Sequence, residues 1–180
     1  MLFELKIFKD VINKLNNIEI PYMVSGSVAM NYYTVPRMTR DIDIVIEIDD
    51  VGSFYNTFKE EYYIDQKMVD DAIKNQFMFN IIHLKEVMKI DFIIRKNTKY
   101  RKTEFKRRRK INIEKIQVFI VSIEDLIISK LLWAEDSHSE LQIKDVKNLL
   151  KEKVDMKYIC DWVKELNIAD FFEEISNGCK

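Results

Sequence analysis

Apolar side chains recur at Leu2, Leu5, Phe8, Ile12 and Leu15, with Lys6, Lys9, Asp10 and Lys14 between them. That spacing gathers the apolar set on one face, so the chain opens with an amphipathic helix that packs on a core. Pro21-Tyr-Met-Val24 predicts a short strand. Ser25-Gly26-Ser27 then predicts a turn into a helix carrying Val28, Ala29, Tyr32 and Tyr33. From Asp41 to Ile48 the alternation is strict. Ile42, Ile44, Ile46 and Ile48 fall on one face of a strand, and Asp41, Asp43, Val45 and Glu47 fall on the other.

Beyond that strand, Asp49 or Asp50 can cap a helix through Phe54 and Phe58, and Tyr62-Tyr-Ile64 reads as a short strand. Gln66 to Asn75 is ambiguous. Gln76–Leu84 and Met88–Ile94 read as paired strands around Lys85-Glu86, with Ile90, Phe92 and Ile94 on one face and Asp91 on the other. Gln117–Val121 is the last expected strand. Ser122-x-x-Asp125 has the form of a capping box before the helix of Leu126–Trp133, which is apolar nearly all round and therefore expected to be buried. Lys130 interrupts that helix, and burying an ammonium without an anionic partner is costly. Ser137-x-x-Glu140 repeats the capping pattern before Ile143, Asp145, Val146, Leu149 and Leu150. A helical pair, Met156–Leu166 and Ala169–Ser176, runs to Gly178. The expectation is an α/β (α+β) fold in which residues 1–121 form a small mixed sheet with flanking helices. Residues 122–180 form a helical C-terminal lobe that closes one side of a cleft.

At 180 residues and 47% hydrophobic content the chain can fill a core, which excludes disorder. A formal charge of -1 gives no overall field to draw nucleic acid. Charge is nonetheless concentrated locally. Arg95, Lys96, Lys99, Arg101, Lys102, Lys106, Arg107, Arg108, Arg109 and Lys110 face the single acid Glu104. Because this stretch follows the Asp91 strand directly, its first residues are expected to leave the sheet beside the acids and to meet a polyanion there. Cys160 and Cys179 lack disulfide or zinc-ligand spacing, which fits a reducing compartment. No apolar run approaches a membrane span, and the acid-bearing start lacks a signal-peptide pattern, so the expected location is cytoplasmic.

The chemistry is expected around Gly26 and the acids. In a chain with only three glycines, Gly26 stands where a strand turns sharply into a helix, and there backbone amides can approach an anion. Asp41 and Asp43 point the same way about 6.6 Å apart, close enough to lean on one small dication or a pair of them. Without a cation they repel by roughly 3 kcal/mol at an effective dielectric of 20. Gly26 and Ser27 can hold terminal phosphates of a nucleotide, and Asp41 and Asp43 can hold magnesium (manganese being the alternative) that bridges them. Asp91 is a further ligand or the base that activates an acceptor hydroxyl. His83 and His138 have no ligand-like neighbours, and Tyr32 and Tyr33 read as packing residues.

The set Gly26, Ser27, Asp41, Asp43 and Asp91 resembles the nucleotidyltransferase superfamily of the DNA polymerase β type, whose pattern is Gly-Ser, a loop, Asp-x-Asp and a third acid on a neighbouring strand. Arg37-Met-Thr-Arg-Asp-Ile-Asp43, Glu124-Asp-Leu-Ile-Ile-Ser-Lys130 and Lys144-Asp145 look like its AbiEii-related bacterial branch, which includes toxins of toxin–antitoxin and abortive-infection systems. The resemblance covers about Pro21 to Leu150. It implies that Lys130 contacts nucleotide phosphates with Asp145 near it, so Gly26, Ser27, Lys130 and Asp145 are the nucleotide-binding candidates. Related toxins often carry an arginine shortly before the Lys-Asp pair, and Ser139-Glu-Leu-Gln-Ile143 has none.

The activity implied is metal-dependent transfer of a nucleoside monophosphate from a nucleoside triphosphate to an acceptor, with release of pyrophosphate. RNA such as tRNA is the first acceptor to consider; a protein side chain or a small molecule is the alternative. A toxin-like enzyme with an antitoxin-like protein partner fits the resemblance. The rival is a non-catalytic nucleotide- or RNA-binding module acting with a partner protein.

Overall fold

Ile42, Ile44 and Ile46 are buried in alternation with more accessible neighbours, as the period-two pattern demands. They belong to β2 (Asp41–Ile46), which lies at the centre of a sheet seven strands wide among the described residues. The structure is a computed structural model and describes residues 2–39, 41–86 and 88–176. Arg40 of the quoted motif, Gly178 and Cys179 lie outside the described residues, and with Cys179 the expectation for the cysteine pair.

In chain order the elements are α1 (Leu2–Asn17), β1 (Tyr22–Val24), α2 (Gly26–Tyr33), β2, α3 (Val51–Phe58), β3 (Tyr62–Tyr63), α4 (Gln66–Asn75), β4 (Met78–His83) and β5 (Lys89–Ile94). There follow α5 (Lys99–Lys106), β6 (Arg109–Ile113), β7 (Ile116–Ile120), α6 (Ile123–Ser137), α7 (Glu140–Leu149), α8 (Met156–Glu165) and α9 (Ala169–Ser176). The strand order is β3-β4-β5-β2-β1-β7-β6. β2 runs parallel to β5 and β1 parallel to β7, while the other neighbours are antiparallel, so the α/β expectation of a mixed sheet is met. Phe54, Phe58, Phe79 and Phe92 interlock with ring centroids 4.8 to 5.9 Å apart on the isoleucine side of β2 and β5. α6 packs on α7, α8 and α2, which accounts for its burial nearly all round.

Local chemistry explains most boundaries. The Asp50 and Asp65 side chains accept from the amides of Ser53 and Met68 and start α3 and α4, so the ambiguous segment is a helix. The Ser122 hydroxyl accepts from the Asp125 amide and starts α6. The second capping box is displaced by two residues. α6 continues through Ser137, whose hydroxyl donates back to the Trp133 carbonyl, and His138 ends it in the left-handed region before Ser139 begins α7. The basic stretch also contains more than the charge pattern suggested. It holds α5 and the start of β6, which turns into β7 through Glu114 and Lys115, both at positive φ as a two-residue hairpin requires.

Candidate active site

Register places the candidate site residues at one end of the sheet. Val24 pairs with Ile44 on one side and Ile120 on the other, and Ile120 pairs with Arg109. One residue nearer the sheet's end, the Ser25 amide donates to the Asp43 carbonyl at 2.9 Å, and Asp43 pairs with Asp91. β1 and β7 both finish here, so the starts of α2 and α6 meet the strand acids at the same edge.

The strand-to-helix turn and the acids are in direct contact. Gly26 has φ +57°, and a Cβ built on it would lie 1.8 Å from Asp43 Oδ2. The absent side chain is thus what lets the turn close onto the carboxylate. Asp91 is 4% exposed, and Asp41 and Asp43 are more open. Burial first, then the charges of Asp91 and Asp41, push the Asp43 carboxyl above its usual range; the Ser27 amide and Lys130 act the other way. Asp43 therefore touches the turn and feels the charges of both other acids and of Lys130.

A cation already sits among the acids. Lys89 Nζ lies 2.8 Å from Asp91 Oδ2 and 4.0 Å from Asp41 Oδ1. Among the described residues no three of His, Cys, Asp and Glu are arranged so that they could hold a metal ion as they stand. Two observations still fit a dication. Lys89 stands in as a positive charge between two of the carboxylates, and the buried Asp91 Oδ1 has no hydrogen-bond partner among the described residues. Lys89 was missed in the sequence, although it lies two residues before Asp91 on the same strand face and opposite Asp41.

Lys130 is buried on α6 and donates to Asp145 Oδ2 at 2.8 Å and Gln142 Oε1 at 2.9 Å. Asp145 is itself 2% exposed. The same Oδ2 accepts from Arg37 Nη2 at 3.0 Å, and that guanidinium nitrogen reaches Ser27 Oγ at 3.1 Å. All the nucleotide-binding candidates thus lie in one connected cluster. Gln142 could have been noticed one helical turn before Asp145; nothing local in the sequence predicts that Arg37 reaches it.

The basic stretch behaves differently from expectation. Arg95 follows Ile94, the partner of Ile46, and so leaves the sheet four residues, about 13 Å, beyond Asp91 at the opposite end. Its guanidinium is taken by Glu47. Lys99 pairs with Glu165, Arg101 with Glu104, and Arg107 with Asp125 while stacking on Tyr158. α5 carries the chain back, so Arg109 and Lys110 begin β6 at the edge of the sheet, and both are exposed. Arg109 lies three strand spacings, about 14 Å, from the β2 row beside Asp43.

No protein-family model and no curated protein matches the chain. Solved structures match its fold. The antibiotic-resistance factor ANT(2'')-Ia superposes with a TM-score of 0.58 at 12% identity, covering 96% of this chain and 92% of that one. An antigenic nucleotidyltransferase-like protein from Paracoccidioides brasiliensis gives 0.56 at 13% identity over 96% and 95%. The lincosamide antibiotic adenylyltransferase LnuA, bound to lincomycin, gives 0.52 at 12% identity over 77% and 91%. The chain has the nucleotidyltransferase fold. These neighbours speak for the superfamily's architecture and not for the AbiEii-related branch. No helix among the described residues is long and apolar enough to cross a membrane.

Proposed function

We propose that the chain is a nucleotidyltransferase that moves a nucleoside monophosphate from a nucleoside triphosphate to an acceptor hydroxyl. The observation that carries this is the contact of Gly26 with Asp43, which sets an anion-binding turn directly against a carboxylate cluster. Turn amides and Ser27 would receive phosphates, and Asp41, Asp43 and Asp91 would hold magnesium or manganese. When bound, that dication supplies charge neutralisation between the carboxylates and the phosphates. The acceptor oxygen forms a bond to the α-phosphorus, the bond from that phosphorus to the β-bridging oxygen breaks, and pyrophosphate leaves with its electron pair. The acceptor's proton would pass to Asp91, whose Oδ1 has no hydrogen-bond partner among the described residues. Lys130 would hold the phosphates from the α6 side.

RNA such as tRNA is the acceptor we propose first, with Arg109 and Lys110 at the sheet edge as phosphate contacts. A small hydroxylated molecule is the second reading. It is favoured by the ion pairs that absorb Arg95, Lys99, Arg101 and Arg107 within the protein. LnuA, which shares the fold, is a lincosamide antibiotic adenylyltransferase. Nothing among the described residues speaks for an antitoxin-like partner, and none is proposed.

The test is to incubate the protein with each labelled triphosphate and magnesium, with total RNA in one arm and a pool of hydroxylated small molecules in the other. Pyrophosphate release with label transferred to one acceptor class supports the reading and selects the acceptor. Triphosphate binding without pyrophosphate release in either arm would replace it with a non-catalytic binding module.

A further inference from the structure

We propose that Arg37 is a phosphate-holding residue of this site and that Asp145 is the positioning residue that presents Arg37 and Lys130 together. The inference rests on the nucleotidyltransferase reading and adds to it a cation, Arg37, to which the sequence assigned no role. Asp145 Oδ2 accepts from Lys130 Nζ at 2.8 Å and from Arg37 Nη2 at 3.0 Å, so one carboxylate oxygen fixes two cations that come from different parts of the chain. Two positive charges against one negative leave the cluster cationic. It lies beside the first turn of α2, whose amide end carries the same sign.

The direction of the guanidinium supports this role. Arg37 Nη2 is already on Ser27 Oγ, the hydroxyl that follows Gly26 in the turn, at 3.1 Å. Arg37 Nε is buried and has no hydrogen-bond partner among the described residues, which leaves a donor on the same planar fork. A guanidinium with spare donors can take a phosphate oxygen without giving up Asp145. Of the neighbouring carboxylates, Asp41 and Asp91 are paired with Lys89 and Asp43 lies in the field of Lys130, so an anionic side of the site adjoins a cationic side. A dication with its phosphates matches that pairing of signs.

A purely structural role predicts something else. The loop after α2 is held by the backbone of Arg37, whose amide donates to Asn31 Oδ1 at 2.9 Å and whose carbonyl accepts from Asn31 Nδ2 at 2.8 Å. These bonds do not use the guanidinium. Lys130 also remains to neutralise Asp145 when Arg37 is changed. Arg37→Gln should therefore fold.

The experiment titrates wild type, Arg37→Gln and Arg37→Lys by calorimetry with inorganic tripolyphosphate and magnesium, with each of the four nucleoside triphosphates, and with the matching nucleosides. Arg37→Gln is expected to weaken tripolyphosphate and triphosphate binding about 10- to 100-fold, and Arg37→Lys to recover part of it. Nucleoside affinity should not move. Equal tripolyphosphate affinity in wild type and Arg37→Gln overturns the proposal while leaving the nucleotidyltransferase reading intact, and so does an equal loss for nucleosides and triphosphates. Wild type that binds neither tripolyphosphate nor any triphosphate overturns both.

Discussion

Gly26 and Asp43 are packed so closely that the glycine has no room for a side chain. Besides the carboxylate oxygen, Asp43 Cγ and Cβ would lie 2.6 and 2.9 Å from a Cβ on Gly26, so turning the carboxylate alone gives no relief. Gly26→Ala also places a side chain at φ +57°, a cost of about 1–2 kcal/mol before any clash. Transfer activity is expected to fall at least about 100-fold as Asp43 is pushed from its place. Gly52→Ala, where the nearest atom is 3.4 Å away, is the control and should leave activity unchanged. Activity assays with thermal melts on both variants check this, and an active Gly26→Ala would separate the turn from the chemistry.

Asp43→Asn should do opposite things to stability and turnover. In the metal-free protein Asp43 is half-buried beside two other carboxylates, and burial first and then their charges push its carboxyl upward, so removing its charge relieves both. The melting temperature without metal is expected to rise, while transfer falls about a thousandfold through loss of a ligand to the bridging cation. Wild-type turnover in Asp43→Asn would remove it from the site.

Much of this arrangement was legible because it is local. Period-two alternation sets Asp41 and Asp43 on one face, and a lone glycine at a strand end marks the turn. The capping box at Ser122 places Lys130 two turns into a buried helix. The parts that were not legible depend on register and on distant charge. Arg95 pairs with Glu47, 48 residues away, and the Arg37–Asp145 bond spans 108 residues. No helical or strand period reports such pairs. The β6 strand was hidden because Arg109 and Lys110 read as part of a charge run, although Ile111 and Ile113 alternate ahead of the Glu114-Lys115 turn.

Lys89 is expected to compete with metal for the acids. Its ammonium lies between Asp91 and Asp41 and is held there by the Asp91 carboxylate, which together with Asp41 and Asp43 raises its pKa against partial burial. Lys89→Met removes that competitor. Manganese binding in the absence of nucleotide, followed by electron paramagnetic resonance, should tighten about three- to tenfold. Weaker manganese binding in this variant would mean that Lys89 organises the carboxylates instead of opposing the ion.

Lys130→Met should fold, because Arg37 continues to neutralise Asp145 and the methionine fills the apolar surroundings of α6. Its triphosphate affinity is expected to drop about 10- to 100-fold, the loss of one charge-assisted contact. Calorimetry with triphosphate measures this directly. Unchanged affinity would make the Lys130–Asp145 pair a support for packing between α6 and α7 alone.

The acceptor is best tested at the edge of the sheet, and the choice of residues follows from how their charges are used. Arg107 is unsuitable because it bonds the fully buried Asp125 and stacks on Tyr158 at 3.8 Å. Its replacement strips a buried carboxylate of its cation and should destabilise the fold, whatever the acceptor. Arg108 is likewise committed, lying over Phe105 and donating to its carbonyl. Arg109 and Lys110 are exposed, at the sheet end that holds the acids, and Arg109 lies near Tyr33, whose hydroxyl ties α2 to the end of β7. If RNA is the acceptor, each phosphate they neutralise contributes roughly 0.7 to 0.9 to the slope of log affinity against log salt. Arg109→Gln with Lys110→Gln should then weaken RNA binding, flatten that slope by about 1 to 2, and leave triphosphate binding intact. A small-molecule acceptor predicts transfer that is indifferent to both changes. Equal transfer and equal salt slopes in wild type and the double variant would therefore take RNA out of the reading and leave the small hydroxylated acceptor.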